Sequence, residues 1–122
     1  MHYISLILVA LVAIEHVYIL VLEMFLWHRP RTLQIFGIPK EEGELLKVMA
    51  ANQGLYNGFL AAGLFWGLLH SNESLGQQIQ VFFLLCVIVA AIYGGFTVKK
   101  TIWGIQGLPA LLALSGVLYQ FH

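Results

Sequence analysis

Glu15 and His16 stand side by side in the middle of a long apolar run, and Glu23 follows about two turns further along. A carboxylate at the centre of a bilayer costs about 2.5–3.5 kcal/mol on insertion scales. Such a group is kept only if it faces protein or water, or carries a proton. Taking a carboxyl out of water favours its protonated form, and taking an imidazole out of water favours its neutral form. A neighbouring pair of this kind can share or pass a proton near neutral pH. Glu15, His16 and Glu23 are therefore the candidate proton donors and acceptors. His16 and Glu23 are seven residues apart and share one stripe of a helix, while Glu15, Ile19 and Glu23 step along it at i, i+4 spacing.

Other polar residues gather at the same depth. Tyr18 lies near Glu15 and His16. A second apolar run supplies Asn52, Gln53, Tyr56 and Asn57, of which the last three fall on one face by the i, i+3, i+4 rule. A third supplies Tyr93. A fourth supplies Gln106, followed by Pro109, which has no N–H and should loosen its helix and free a carbonyl. Together these residues outline a polar pocket in the cytoplasmic half of the membrane, able to bind a small hydrophobic or amphipathic molecule. The alternative use of the same residues is a buried network that fixes helix register, as Asn and Gln often do in bundles.

No cofactor or metal is implied. Adjacent helix residues point about 100° apart, so Glu15 and His16 are poorly placed to grip one ion, and no HxxH or ExxH spacing occurs. His2, His70 and His122 fall together on the outer side of the topology derived below, where exposed interfacial histidine is the commoner explanation. The chain has no HExxH motif and no glycine-rich phosphate loop. Its formal net charge is zero, with no basic stripe for nucleic acid.

The elements that must position these residues are membrane helices. Hydrophobic residues make up 60% of the 122-residue chain and charged residues 10%, against roughly 45–50% and 25% in ordinary globular proteins. So few charges could not cover a soluble domain of this size. The apolar runs lie at about Tyr3–Trp27, Met49–Leu69, Ile79–Thr97 and Ile102–Phe121. Each is near the ~20 residues a spanning helix needs, and none alternates as a barrel strand would. The first reads as a membrane helix rather than a cleaved leader, having no positive flank ahead of it. The expected fold is all-α: one domain, a four-helix transmembrane bundle with helices over about 3–27, 40–69, 77–98 and 102–121. Arg29-Pro30-Arg31 reads as the stop of the first helix, Phe36-Gly37-Ile38-Pro39 as a turn, and Lys40 as the start of the second helix.

Arg29, Arg31, Lys40, Lys47, Lys99 and Lys100 are all the Lys and Arg of the chain. They occupy the first and third connections. The positive-inside rule puts residues 28–48 and 98–101 in the cytoplasm and both termini on the extracytoplasmic side of a multi-pass cell-membrane protein. Ala50, Gly54, Gly58 and Ala62 recur every four residues and allow close helix approach. Cys86, among apolar neighbours, reads as a small hydrophobe.

The stretches from Ala10 to Trp27 (ALVAIEHVYILVLEMFLW), Ala50 to Gly63 (AANQGLYNGFLAAG) and Gln106 to Ala113 (QGLPALLA) carry a family resemblance. Over essentially its whole length the chain resembles the bacterial membrane proteins grouped as domain of unknown function 1304. The resemblance implies a small four-helix membrane protein and supports Glu15, His16, Glu23, Asn52, Gln53, Tyr56 and Asn57 as the residues of interest. It implies no substrate.

Three functions fit these features. The first is a small-molecule binder or exporter coupled to protons, with Glu15 taking the proton and His16 tuning it. A chain this small would act as a homo-oligomer to form a pathway. The second is an intramembrane enzyme doing isomerase-like acid/base chemistry on a lipid-soluble substrate. The third is a structural or assembly subunit.

Overall fold

The computed structural model describes residues 2–120. Among these every regular element is helical, and no strand occurs. The five α-helices are α1 (His2–Met24), α2 (Pro30–Phe36), α3 (Lys47–Leu69), α4 (Glu73–Thr97) and α5 (Leu108–Tyr119). A 3-10 turn covers Lys40–Glu42, and a π-helical turn, Trp103–Gly107, leads into α5. The chain divides into two compact units, Glu15–Phe59 and the stretches on either side of it. α1 and α4 are long and apolar enough to cross a membrane.

The unit formed by Glu15–Phe59 differs in its loop from the sequence expectation. Since α1 already ends at Met24, Pro30 starts a helix and stops none. Its missing N–H costs nothing at the first helical position, where that group has no partner anyway. α2 then closes on Gly37, whose φ of 69° is the left-handed conformation that glycine adopts freely. The Gly37 N–H bonds to the Gln34 carbonyl, and the Ile38 N–H bonds back to Leu33 at 2.8 Å. Lys40 opens only the short 3-10 turn, and α3 begins at Lys47. A small apolar cluster fastens this segment: Trp27, Leu33 and Ala50 are buried, with Phe36, Ile38 and Leu46 against them. The Trp27 indole N–H donates to the Gly43 carbonyl at 2.8 Å.

In the same unit, α3 approaches α1 through its small residues. A Cβ added at Gly54 would lie 2.8 Å from Met24 Cγ and 3.0 Å from Glu23 Cβ. One added at Gly58 would collide with the Leu20 side chain. Further along α3, in the other unit, Ala62 is exposed and Ala61 is buried. Steps of four residues overshoot a 3.6-residue turn by about 40° each. The buried face therefore shifts by one position after two such steps.

The other unit is built on a continuous apolar core of Val9, Val12, Ala13, Leu64, Leu84, Val87, Ala110, Ala113, Leu114 and Val117. Asn72 caps α4 by accepting the Leu75 N–H at 3.0 Å, and Glu73 lies in the first turn, where negative charge is favoured. Trp103 sits in a notch at Gly95, where any Cβ would collide with the indole ring. The indole N–H reaches the Ile92 carbonyl at 3.2 Å. Pro109 cannot donate to the carbonyl four residues earlier. The turn before it is π-helical, with the Leu108 N–H bonding to Trp103 instead.

Gly54→Leu is expected to destabilise the protein by about 1–3 kcal/mol. Ala62→Leu should change stability by less than about 0.5 kcal/mol. Unfolding of both variants in detergent micelles checks this, and equal losses would contradict the close approach at Gly54.

Candidate functional site

α1 carries its second carboxyl inward. Glu23 is 3% exposed, on a buried stripe with His16, Ile19 and Leu22. An acceptor so enclosed must be given a donor, because leaving it unpaired costs about 1–3 kcal/mol or more. Asn57 supplies one. Its Nδ2 donates to Glu23 Oε1 at 3.0 Å and to the Gln53 carbonyl, one turn back on α3, also at 3.0 Å. The amide thus divides its two N–H groups between the carboxyl and its own helix, which sets its rotamer. Gly54, three residues before Asn57, permits the approach that makes this bond.

His16 is 1% exposed. Its Nδ1 is 4.0 Å from Glu15 Oε1, outside hydrogen-bond reach. The half-buried Glu15 has that same oxygen enclosed without a hydrogen-bond partner among the described residues. The helix therefore presents two carboxyls in different states of satisfaction: Glu23 with a donor, and Glu15 with an oxygen still lacking one.

The remaining residues singled out in the sequence lie as follows. Tyr18, Tyr56 and Tyr93 are exposed, and Tyr56 packs edge-on to Phe59 at 5.9 Å. Asn52 is exposed and donates to the Val48 carbonyl of its own helix at 2.9 Å. The Gln53 side chain is exposed. Tyr93 and Gln106 belong to the unit outside Glu15–Phe59, with Gln106 half-buried in the π-helical turn. The structure brings together Glu23, Asn57 and the backbone of Gln53, and sets Glu15 beside His16.

Sequence reading passed over three other buried polar groups, Ser5, Thr32 and Gln80. Gln80 Nε2 donates to the Gly67 carbonyl at 3.1 Å, tying α4 to the end of α3. An amide one residue inside an apolar run was the signal, and its place at the edge of that run hid it. Near the same end, Gln120 accepts from Gln77 at 2.7 Å and lies 3.3 Å from His2 Nδ1. His2 Nδ1 is 3.5 Å from Glu73. His122 lies outside the described residues, and among those described no three His, Cys, Asp or Glu side chains gather as a metal site.

The chain belongs to the family described as protein of unknown function (DUF1304), whose model matches residues 10–118. It is 38% identical over 112 residues to the uncharacterized protein YpaA of Lactococcus lactis subsp. lactis (strain IL1403), covering 90% of this chain and 92% of that protein. No solved structure matches it.

Asn57→Leu should lower stability by about 1–3 kcal/mol while Glu23 is present. With Glu23→Leu already made, the same change should cost much less, giving a coupling of about 0.5 kcal/mol or more. A double-mutant cycle in micelles reads this directly. Additive losses would mean the 3.0 Å bond contributes nothing.

Proposed function

We propose that this chain is a four-span cell-membrane protein that binds or exports a small hydrophobic or amphipathic molecule with proton coupling at Glu15, His16 and Glu23. The spans are α1, α3, α4, and the π-helical turn with α5. Residues 28–48 and 98–101 face the cytoplasm, and both termini face outward. The membrane placement is supported by what the helices expose. Only 28% of the most apolar stretch of α1, and the same share of α4, is buried inside the protein. Ile4, Ile7, Leu11, Ile14 and Val17 of α1 are exposed, as are Phe82, Leu85, Val89, Ile92 and Phe96 of α4. Soluble monomers rarely expose apolar surface running the length of a helix; lipid solvates it without cost.

The observation that carries the functional reading is the pair of carboxyls on α1, one bonded to Asn57 and one with an enclosed oxygen lacking a hydrogen-bond partner among the described residues. Glu15 is the group left to exchange a proton or meet a donor on a ligand. Glu23 and Asn57 form a polar wall, with Tyr18, Asn52, Gln53 and Tyr56 of the same unit as further ligand contacts. Transport through so small a chain calls for a homo-oligomer. A second reading is favoured by the continuous apolar core of the unit outside Glu15–Phe59, which offers no row of polar groups for a transported ion or polar molecule. On that reading the site does acid/base chemistry on a lipid-soluble substrate, with Glu15 or Glu23 donating a proton and His16 accepting one.

Purified protein in detergent, screened against hydrophobic amines, sterols and quinones, tests this. A ligand is expected to raise the melting temperature of wild type but not of Glu15→Gln, and to release protons from wild type alone in weakly buffered solution. Conversion of that ligand to an isomer would select the second reading. Stabilisation of both proteins alike, or of neither, would overturn a site at Glu15 and leave a structural subunit.

A further inference from the structure

The loop between α1 and α3 encloses a cleft separate from the carboxyl site. It has a volume of about 230 Å³ and is lined by Trp27, His28, Pro30, Leu33, Lys40, Gly43, Glu44 and Lys47. All of these belong to the Glu15–Phe59 unit. The floor is apolar and buried. Trp27 and Leu33 are buried, and the indole N–H is already committed to the Gly43 carbonyl. Gly43 packs closely against this floor: a Cβ there would come within 2.8 Å of Leu33 Cδ1. The rim is charged with both signs. Lys40 and Lys47 bring two ammonium groups and Glu44 one carboxylate, and among the described residues none of the three forms an ion pair. Sites for drug-sized ligands run to about 300–1,000 Å³, so this cleft suits a headgroup-sized fragment rather than a whole amphiphile.

Two free ammonium groups and one free carboxylate over an indole floor, with the His28 imidazole as a further polar group, suit a phosphate ester that also carries a primary amine. We propose that this cleft binds the phosphoethanolamine group, its phosphate between Lys40 and Lys47 and its ammonium on Glu44. Charge-assisted bonds of this kind are roughly twice as strong as neutral ones. A choline group has no N–H to give Glu44, and a glycerol group has no cation, so both should bind more weakly. The group can arrive as a phospholipid headgroup or as soluble glycerophosphoethanolamine. The lipid source rests on the membrane reading above, which places this loop at the cytoplasmic surface.

The test is the melting temperature of the full chain in detergent micelles doped with phosphatidylethanolamine, phosphatidylcholine or phosphatidylglycerol, and separately with soluble glycerophosphoethanolamine. Phosphatidylethanolamine should raise it by roughly 4 °C or more and the other two lipids by clearly less. The gain should vanish in Lys40→Gln/Lys47→Gln, and Glu44→Gln should erase the preference over phosphatidylcholine. A response to the soluble compound equal to that of the lipid upholds the cleft and identifies a free metabolite as its source; a response to the lipid alone identifies the headgroup. Equal shifts with all three lipids, or no shift from any amine-bearing phosphate, would overturn the assignment. The wild-type lipid series decides this even if a variant fails to fold. Recovery of the chain as a soluble protein without detergent would instead sink the membrane reading, and the soluble arm would still test the cleft.

Discussion

The bond from Asn57 to Glu23 is the interaction on which the packing of α3 on α1 within Glu15–Phe59 depends. A buried carboxyl on an apolar helix needs a donor, and the donor here comes from a different helix. That requirement fixes which face of α3 meets α1, and it calls for Gly54, where any larger residue would hold the backbones apart. Asn57 keeps its other N–H on the Gln53 carbonyl, so the amide is anchored before it reaches across. Small residue, short distance and polar bond are parts of one arrangement.

Elsewhere the helices are held by ordinary apolar packing, with polar contacts kept to their ends. Gln80 on the Gly67 carbonyl and Trp103 in the Gly95 notch each use a glycine to bring a side chain against backbone. Trp27 and Gly43 do the same for the segment carrying α2. The outward faces are mostly leucine, isoleucine, valine and phenylalanine, with tyrosine and Trp66 among them. An environment that solvates those faces removes the usual drive to bury them, and specificity then falls to close backbone approach and a few hydrogen bonds. Glu15 stands out against this background because its enclosed oxygen has no such bond among the described residues.

Much of this was legible from residue types. An all-α chain follows from apolar runs too long for strands, and every regular element among the described residues is helical. Glu23 and Asn57 were visible as groups that an apolar run rejects. Their pairing was not, because spacing within a helix says which residues share a face but not what that face meets. Tyr56 and Asn57 show the limit: they are neighbours in sequence, about 100° apart on the helix, and one is exposed while the other bonds Glu23. α2 was hidden because a proline that begins a helix looks in sequence like one that stops a helix, although α1 ends earlier, at Met24. The π-helical turn was partly legible in Pro109, whose missing N–H had to disturb the hydrogen bonding before it. Gln80 escaped because an amide at the margin of an apolar run looks like its boundary.

The central claim is that these helices cross a membrane with the carboxyl-bearing α1 running inward. Single cysteines at Arg31 and Asn72, each in a Cys86→Ser background, can be challenged with a membrane-impermeant maleimide on intact cells. The account requires Asn72→Cys to be labelled at once and Arg31→Cys only after the membrane is opened. Labelling of Arg31→Cys in intact cells with Asn72→Cys protected, or equal labelling of both, would contradict it.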